Sequence, residues 1–204
     1  MKEKKSAKPV SFRKKTCYTL AFCAAWLLLY LVLSGYHLTP NQALRSYEDT
    51  LLLSAPTQML MQGKSLSATD DFARWRLSEN EDCLLFSLYF FRPRMDGWSA
   101  TGSLLEYQRN TPVEIAIDHS STYEDYWFGK ISDPAVLSME VRYETAQGEA
   151  GSETFWTKNM LYHNGAYYFV VPASSSAWVW SIPQLVLHTR TGGTQIYDFE
   201  DVSQ

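Results

Sequence analysis

The sequence predicts a mainly β protein: an antiparallel sandwich or open barrel, one short helix ahead of it, and a single transmembrane helix ahead of that. Three observations carry this expectation. An uncharged run follows a basic N-terminus, apolar runs of strand length recur from Cys83 onward, and pairs such as Asn164-Gly165 stand between those runs where tight turns need them.

Residues 1–15 carry Lys2, Lys4, Lys5, Lys8, Arg13, Lys14 and Lys15 against Glu3, and Thr16 to Tyr36 then form 21 residues without a charged side chain. At about 1.5 Å rise per residue such a run reaches roughly 30 Å, the thickness of a hydrocarbon core. The basic cluster places the N-terminus in the cytoplasm and the remainder outside it. A cleavable signal peptide shares this opening. Against it, Leu33-Ser34-Gly35 puts leucine where a small residue is required, and Phe22 is too bulky beside Cys23 for a lipoprotein-type site. The expectation is an uncleaved single-pass anchor, with a basic cytoplasmic tail (1–15), a span (16–36), a juxtamembrane helix (37–56) and an extracytoplasmic β-rich domain (57–204).

The whole chain has 18 basic and 22 acidic residues; removing the tail's seven and one leaves 11 and 21, a net charge of about −10 for the rest. No basic patch remains to neutralise phosphates, which argues against nucleic acid as a partner. Cys83 is the one cysteine beyond the span, so no disulfide framework holds the domain and its core must do so. No Asn-x-Ser/Thr acceptor occurs beyond the span either, and a bacterial cell surface is the expected location.

In LTPNQALRSYEDTLL, Thr39 serves as N-cap, Pro40 suits the first helical position, and Gln42 completes a capping box. Ala43, Leu44, Tyr47 and Leu51 share one face of the helix. Farther on, CLLFSLYFF (83–91) is apolar on both faces, as a central strand is. LSMEVRY alternates, with Leu137, Met139, Val141 and Tyr143 on one side and Ser138, Glu140 and Arg142 on the other. Asp96-Gly97, Asn164-Gly165 and Gly192-Gly193 accept the positive φ of tight turns. Strands are expected near 84–91, 98–107, 113–117, 123–131, 136–145, 153–163, 166–171, 178–189 and 195–200.

The order of basic tail, span, the helix with Thr39, Pro40, Ala43, Leu44 and Glu48, the segment Gly129, Ile131, Ser132, Asp133, Pro134 and Val136, and the run Tyr167 to Pro172 resembles uncharacterised membrane-anchored surface proteins of Gram-positive bacteria. The resemblance is one of layout. It implies the topology and a β-rich outer domain, and no catalytic residues.

Several residues invite a chemical reading. Asp133, between an ending strand and the best alternating strand, has the neighbours of a corner: its carboxylate can accept backbone N–H groups while Pro134 fixes φ. Asp118 and His119, with Ser120 and Ser121, set an acid, an imidazole and two hydroxyls in one loop, but triads draw their members from separated segments and no G-x-S-x-G elbow is present. Cys83 with His119, His163 or His188 makes a thiol–imidazole pair on paper, yet Cys83 opens an apolar strand where a thiol stays protonated. Neither an H-E-x-x-H nor a paired C-x-x-C occurs, and the acidic spots lack the ligand spacing and glycine of a calcium loop, so no metal or other cofactor is expected. Trp178 and Trp180 share a strand face, a platform suited to sugars or peptides or else a filling for the core.

The function expected from these readings is a membrane-anchored binding or scaffolding protein without catalysis. Its candidate partners are a cell-wall polymer, a peptide or another membrane protein. The alternatives are a cell-surface hydrolase using Asp118/His119 or Cys83, and an accessory subunit of a transporter or signalling complex.

Overall fold

A computed structural model describes residues 12–33, 36–64, 73–92, 97–108, 111–119, 125–173 and 179–198. The chain is mainly β and antiparallel, as the sequence predicts, with its strands in three four-stranded sheets.

Helix α1 (Phe12–Leu33) corrects one expectation. Among the described residues no helix is long and apolar enough to cross a membrane. The single-pass span over 16–36 is corrected accordingly, and with it the orientation and the cell-surface location that rested on it. Most of the basic tail, residues 1–11, lies outside the described residues.

Helix α2 (Pro40–Thr50) begins as its sequence dictates. Gln42 N–H donates to Thr39 Oγ1 and the Gln42 side chain accepts from Thr39 N–H, so two otherwise unpaired donors are satisfied reciprocally. Ala43 and Leu44 are buried, and Tyr47 Oη donates to the Gly102 carbonyl at 2.7 Å, which ties the helix to the first sheet.

The first sheet is a meander of β1 (Gln58–Lys64), β2 (Arg74–Glu79), β3 (Cys83–Arg92) and β4 (Gly97–Glu106) in that order. The second runs β5 (Val113–Asp118), β6 (Tyr126–Ile131), β10 (Ala166–Pro172), β9 (Leu161–His163). The third runs β12 (Thr194–Asp198), β11 (Val179–Thr189), β7 (Val136–Thr145), β8 (Ala150–Trp156). A single 3-10 turn, Thr157–Asn159, carries the chain from β8 to β9.

The second sheet is the middle layer, because β6 and β10 bury both faces. Tyr126, Phe128, Ala166 and Tyr168 pack with Leu77, Leu84, Phe86 and Leu88 of the first sheet. The intervening Trp127, Ile131 and Phe169 pack with Met139, Val141, Tyr143, Phe155 and Leu185 of the third. Period-two alternation thus sends successive residues of one strand into two different cores. Phe86 stacks on Phe128 with ring centroids 5.4 Å apart, and Phe155 on Phe169 at 5.5 Å. Three glycines let aromatic rings lie against the backbone across a strand pair: a Cβ on Gly63, Gly129 or Gly151 collides with the ring of Trp75, Phe169 or Tyr143.

Three departures from expectation have local causes. The expected inward row of β7 begins at Leu137, yet Leu137 is exposed and Val136 buried, because the β7–β11 pairing shifts register at its His188/Thr189 end. The run expected as one strand over 153–163 is broken by the 3-10 turn into β8 and β9. Strands β1 and β2 were not expected: QMLMQGK has no β-branched residue, and RWRLSE is six residues long.

Candidate functional site: a cleft at the edge of the middle sheet

The middle sheet has an incomplete edge. β10 pairs with β6 from Tyr167 to Pro172, but on its other side β9 covers only Ala166 to Tyr168. The reason is local. Asn164 and Gly165, at φ 47° and 83°, close a two-residue hairpin, and β9 before it is only three residues long because the chain enters it directly from the 3-10 turn Thr157–Asn159. Among the described residues, Val170 to Pro172 have no strand neighbour on that side.

A cleft of about 310 Å³ lies along this edge, lined by Met61 and Trp75 of the first sheet, by Tyr168 to Val171 of β10, and by Thr154, Phe155, Trp156, Asn159 and Met160. All three sheets contribute to it. Its lining carries no formal charge in a chain of net charge −4. Trp156 is 44% exposed, with Lys158 Nζ 5.5 Å from its ring centroid at the rim. Among the described residues, two larger depressions lie elsewhere, both bounded by Leu52 to Ser54 after α2, one beside Glu48 and Asp49 and the other beside Glu81, Asp82 and Glu106. Those are surface hollows around one short segment, without an aromatic wall contributed by all three sheets.

Behind the cleft, where the first and second sheets meet, a polar cluster is built around Glu79. Its carboxylate accepts from Lys130 Nζ at 2.7 Å, Tyr107 Oη at 2.6 Å and Tyr168 Oη at 2.8 Å. Burial alone raises the pKa of this carboxyl, but the hydrogen bonds from Lys130, Tyr107 and Tyr168 and the ammonium charge outweigh it and hold the group below its ordinary range. The Tyr107 and Tyr168 hydroxyls are pushed up, by burial first and then by donating to Glu79. Lys130 Nζ also sits 4.3 Å from the Tyr107 ring centroid. Donors and acceptor are matched, and the lysine is committed to the carboxylate, so the cluster joins two sheets and presents no activated base or nucleophile.

The residues singled out from sequence are placed as follows. Asp133 makes a corner: its Oδ1 accepts the Ala135 N–H at 2.8 Å and its carbonyl accepts the Val136 N–H at 3.2 Å. Asp118 is fully buried and accepts from Ser103 Oγ at 2.6 Å, joining β5 to β4. His119 Nδ1 stands 2.9 Å from Asp125 Oδ2. Ser120 and Ser121 lie outside the described residues. Cys83 is buried and donates to Asn80 Oδ1 at 3.2 Å; burial, then the charges of Asp82 and Glu106, push its thiol pKa up, which suppresses the nucleophilic thiolate. His163 stands at the exposed end of β9, and His188 Nδ1 lies 3.4 Å from Thr194 Oγ1. Trp178 lies outside the described residues, and of Trp180 the backbone alone is described, within β11. Among the described residues no group of three metal-ligating side chains converges.

Sequence reasoning missed the cleft. Trp156 lies in the run expected as a strand over 153–163, but β1 and β2, and with β2 the placing of Trp75, were not expected, and the broken edge depends on a 3-10 turn inside a run that reads as one strand. No known family matches the chain, and no curated protein or solved structure is similar to it.

Proposed function

We propose that this chain is a non-catalytic binding module whose ligand occupies the cleft beside β10. The observation that carries the reading is the uncharged, aromatic-lined cleft formed where three sheets meet, with a partly exposed tryptophan on its wall. The placement of the titratable side chains supports it: Glu79 and Lys130 satisfy each other, Asp118 is engaged by Ser103, and the Cys83 thiol is held protonated. We read the fold as a β-sandwich extended by a third layer, which gives the cleft walls from both outer sheets.

The test uses the full chain, immobilised and offered in parallel a random dodecapeptide library displayed on phage and soluble cell-wall polymer fragments. Retention of either that drops at least tenfold with Trp156→Ala, at unchanged melting temperature, supports the proposal. Retention of neither overturns it. So does turnover of p-nitrophenyl acetate that vanishes with His119→Ala or Cys83→Ala, because that outcome belongs to a hydrolase.

A further inference from the structure

We infer that the ligand of this cleft is an extended polypeptide that joins the middle sheet as an antiparallel strand along β10, hydrogen-bonding to Val170 and continuing the line that β9 begins. The inference rests on the binding reading above and specifies its ligand class.

The backbone geometry is the first support. Ala173 N–H donates to the Asp125 carbonyl, and Ser132 N–H donates to the Pro112 carbonyl on the opposite edge of β6. Because hydrogen-bonding direction alternates along an antiparallel strand, Tyr167, Phe169 and Val171 direct their backbone groups at β6, whereas Ala166, Tyr168, Val170 and Pro172 direct theirs the other way. Ala166 and Tyr168 find β9 there, opposite His163 and Leu161. Val170 N–H and C=O face the cleft, and among the described residues no backbone bond outside the sheets reaches them. Pro172 offers its carbonyl and has no N–H to leave unpaired, which suits an edge that must stay exposed until it is filled.

Continuity with the β9–β10 ladder is the second support. A strand laid after Leu161 on the same line meets Val170 in a hydrogen-bonded pair, giving two bonds there and a third from a ligand N–H to the Pro172 carbonyl. Its side chains then alternate between two walls already present. The residue opposite Val170 points toward Met61 and Trp75, and its neighbours point toward Phe155 and Met160. A ligand recognised by backbone edge and two apolar walls is a peptide with apolar side chains at successive positions. A glycan has no such repeat of N–H and C=O.

The experiment takes dodecapeptides recovered by the full chain from the random library, synthesises them, and methylates their backbone nitrogens one at a time. Methylation is expected to weaken binding at least tenfold at alternate positions and to be tolerated between them, because alternate N–H groups face away from β10. Val170→Pro removes the N–H at the centre of the ladder and is expected to weaken binding by a similar factor. Should that variant unfold, the methylation series on the unaltered protein still decides. Peptides that bind without this alternation overturn strand addition while leaving the binding module standing. Retention of wall-polymer fragments and no peptide does the same. A chain that dimerises through this edge, and becomes monomeric with Val170→Pro, replaces the peptide with a second copy and also overturns the inference.

Discussion

Lys130 on β6 and Glu79 on β2 meet 2.7 Å apart across the gap between two sheets, with side chains only 20% and 17% exposed. Removing one member strands the other where water reaches it poorly. Lys130→Met is therefore expected to lower the unfolding free energy by about 3 kcal/mol, and Glu79→Gln by less, since an amide oxygen still accepts from Tyr107 and Tyr168. Denaturant unfolding of both single variants and the double variant measures the coupling. Additive losses would mean that the two groups do not act as a pair.

Stability should respond to acid with opposite signs at two glutamates. Glu79 has a folded pKa below its unfolded value of about 4.3, so it contributes stability that is present above that value and is lost as pH falls through its folded pKa. Glu114 is the reverse: burial raises its pKa despite bonds from Thr111 and Gln108, so its ionisation costs stability once pH rises through its folded pKa. Melting temperatures between about pH 3 and pH 8 are the measurement, spanning the ordinary carboxylate range. Glu79→Gln is expected to flatten the acid limb, and Glu114→Gln to raise stability at neutral pH but not in acid. A parent-like profile for both would contradict these assignments.

Replacing Asp133 by alanine deletes the acceptor of the Ala135 N–H and is expected to cost about 0.5–2 kcal/mol, with asparagine recovering most of it. Thermal unfolding of the two variants beside the parent decides. If alanine melts like the parent, the carboxylate is not what holds the corner.

Of the three cysteines, Cys17 and Cys23 are exposed and Cys83 is buried. A chromogenic disulfide reagent is expected to titrate two thiols at once in the native chain and the third only on unfolding, because the Cys83 thiol is both covered and protonated. A third fast thiol would return Cys83 to the candidate nucleophiles.

Much of the secondary structure could be read because it is written in local patterns: the turn pair Asn164-Gly165, the capping box of Thr39 and Gln42, and the doubly apolar β3. The doubly apolar character of β3 was read as a central strand, which it is: it runs between β2 and β4, with one face toward the middle sheet. What alternation could not convey is that β6 and β10 serve two cores, since a strand packed on one side or both differs only in what lies beyond it. The cleft was hidden for a related reason. Val170 sits in an ordinary β-rich run, and its significance arises from where β9 stops on the neighbouring line. Asp133 was readable because its partners lie two and three residues away; Glu79 was not, because its partner Tyr168 lies 89 residues on.

After the first sheet the chain alternates between layers: β5 and β6 in the second, β7 and β8 in the third, β9 and β10 in the second again, β11 and β12 in the third. Neither of these layers can be built from one continuous stretch of chain, because the second waits for β9 and β10 beyond the first visit to the third, and the third waits for β11 and β12 beyond the return to the second. The four strands of the meander are free of that dependence. Folding is thus expected to proceed with the meander assembling from short loops and the two interleaved layers closing together, late and slowly, in one step dominated by distant pairings. The open edge of β10 belongs to the late-forming part, so during synthesis the site is complete only once the chain has been made past Val171.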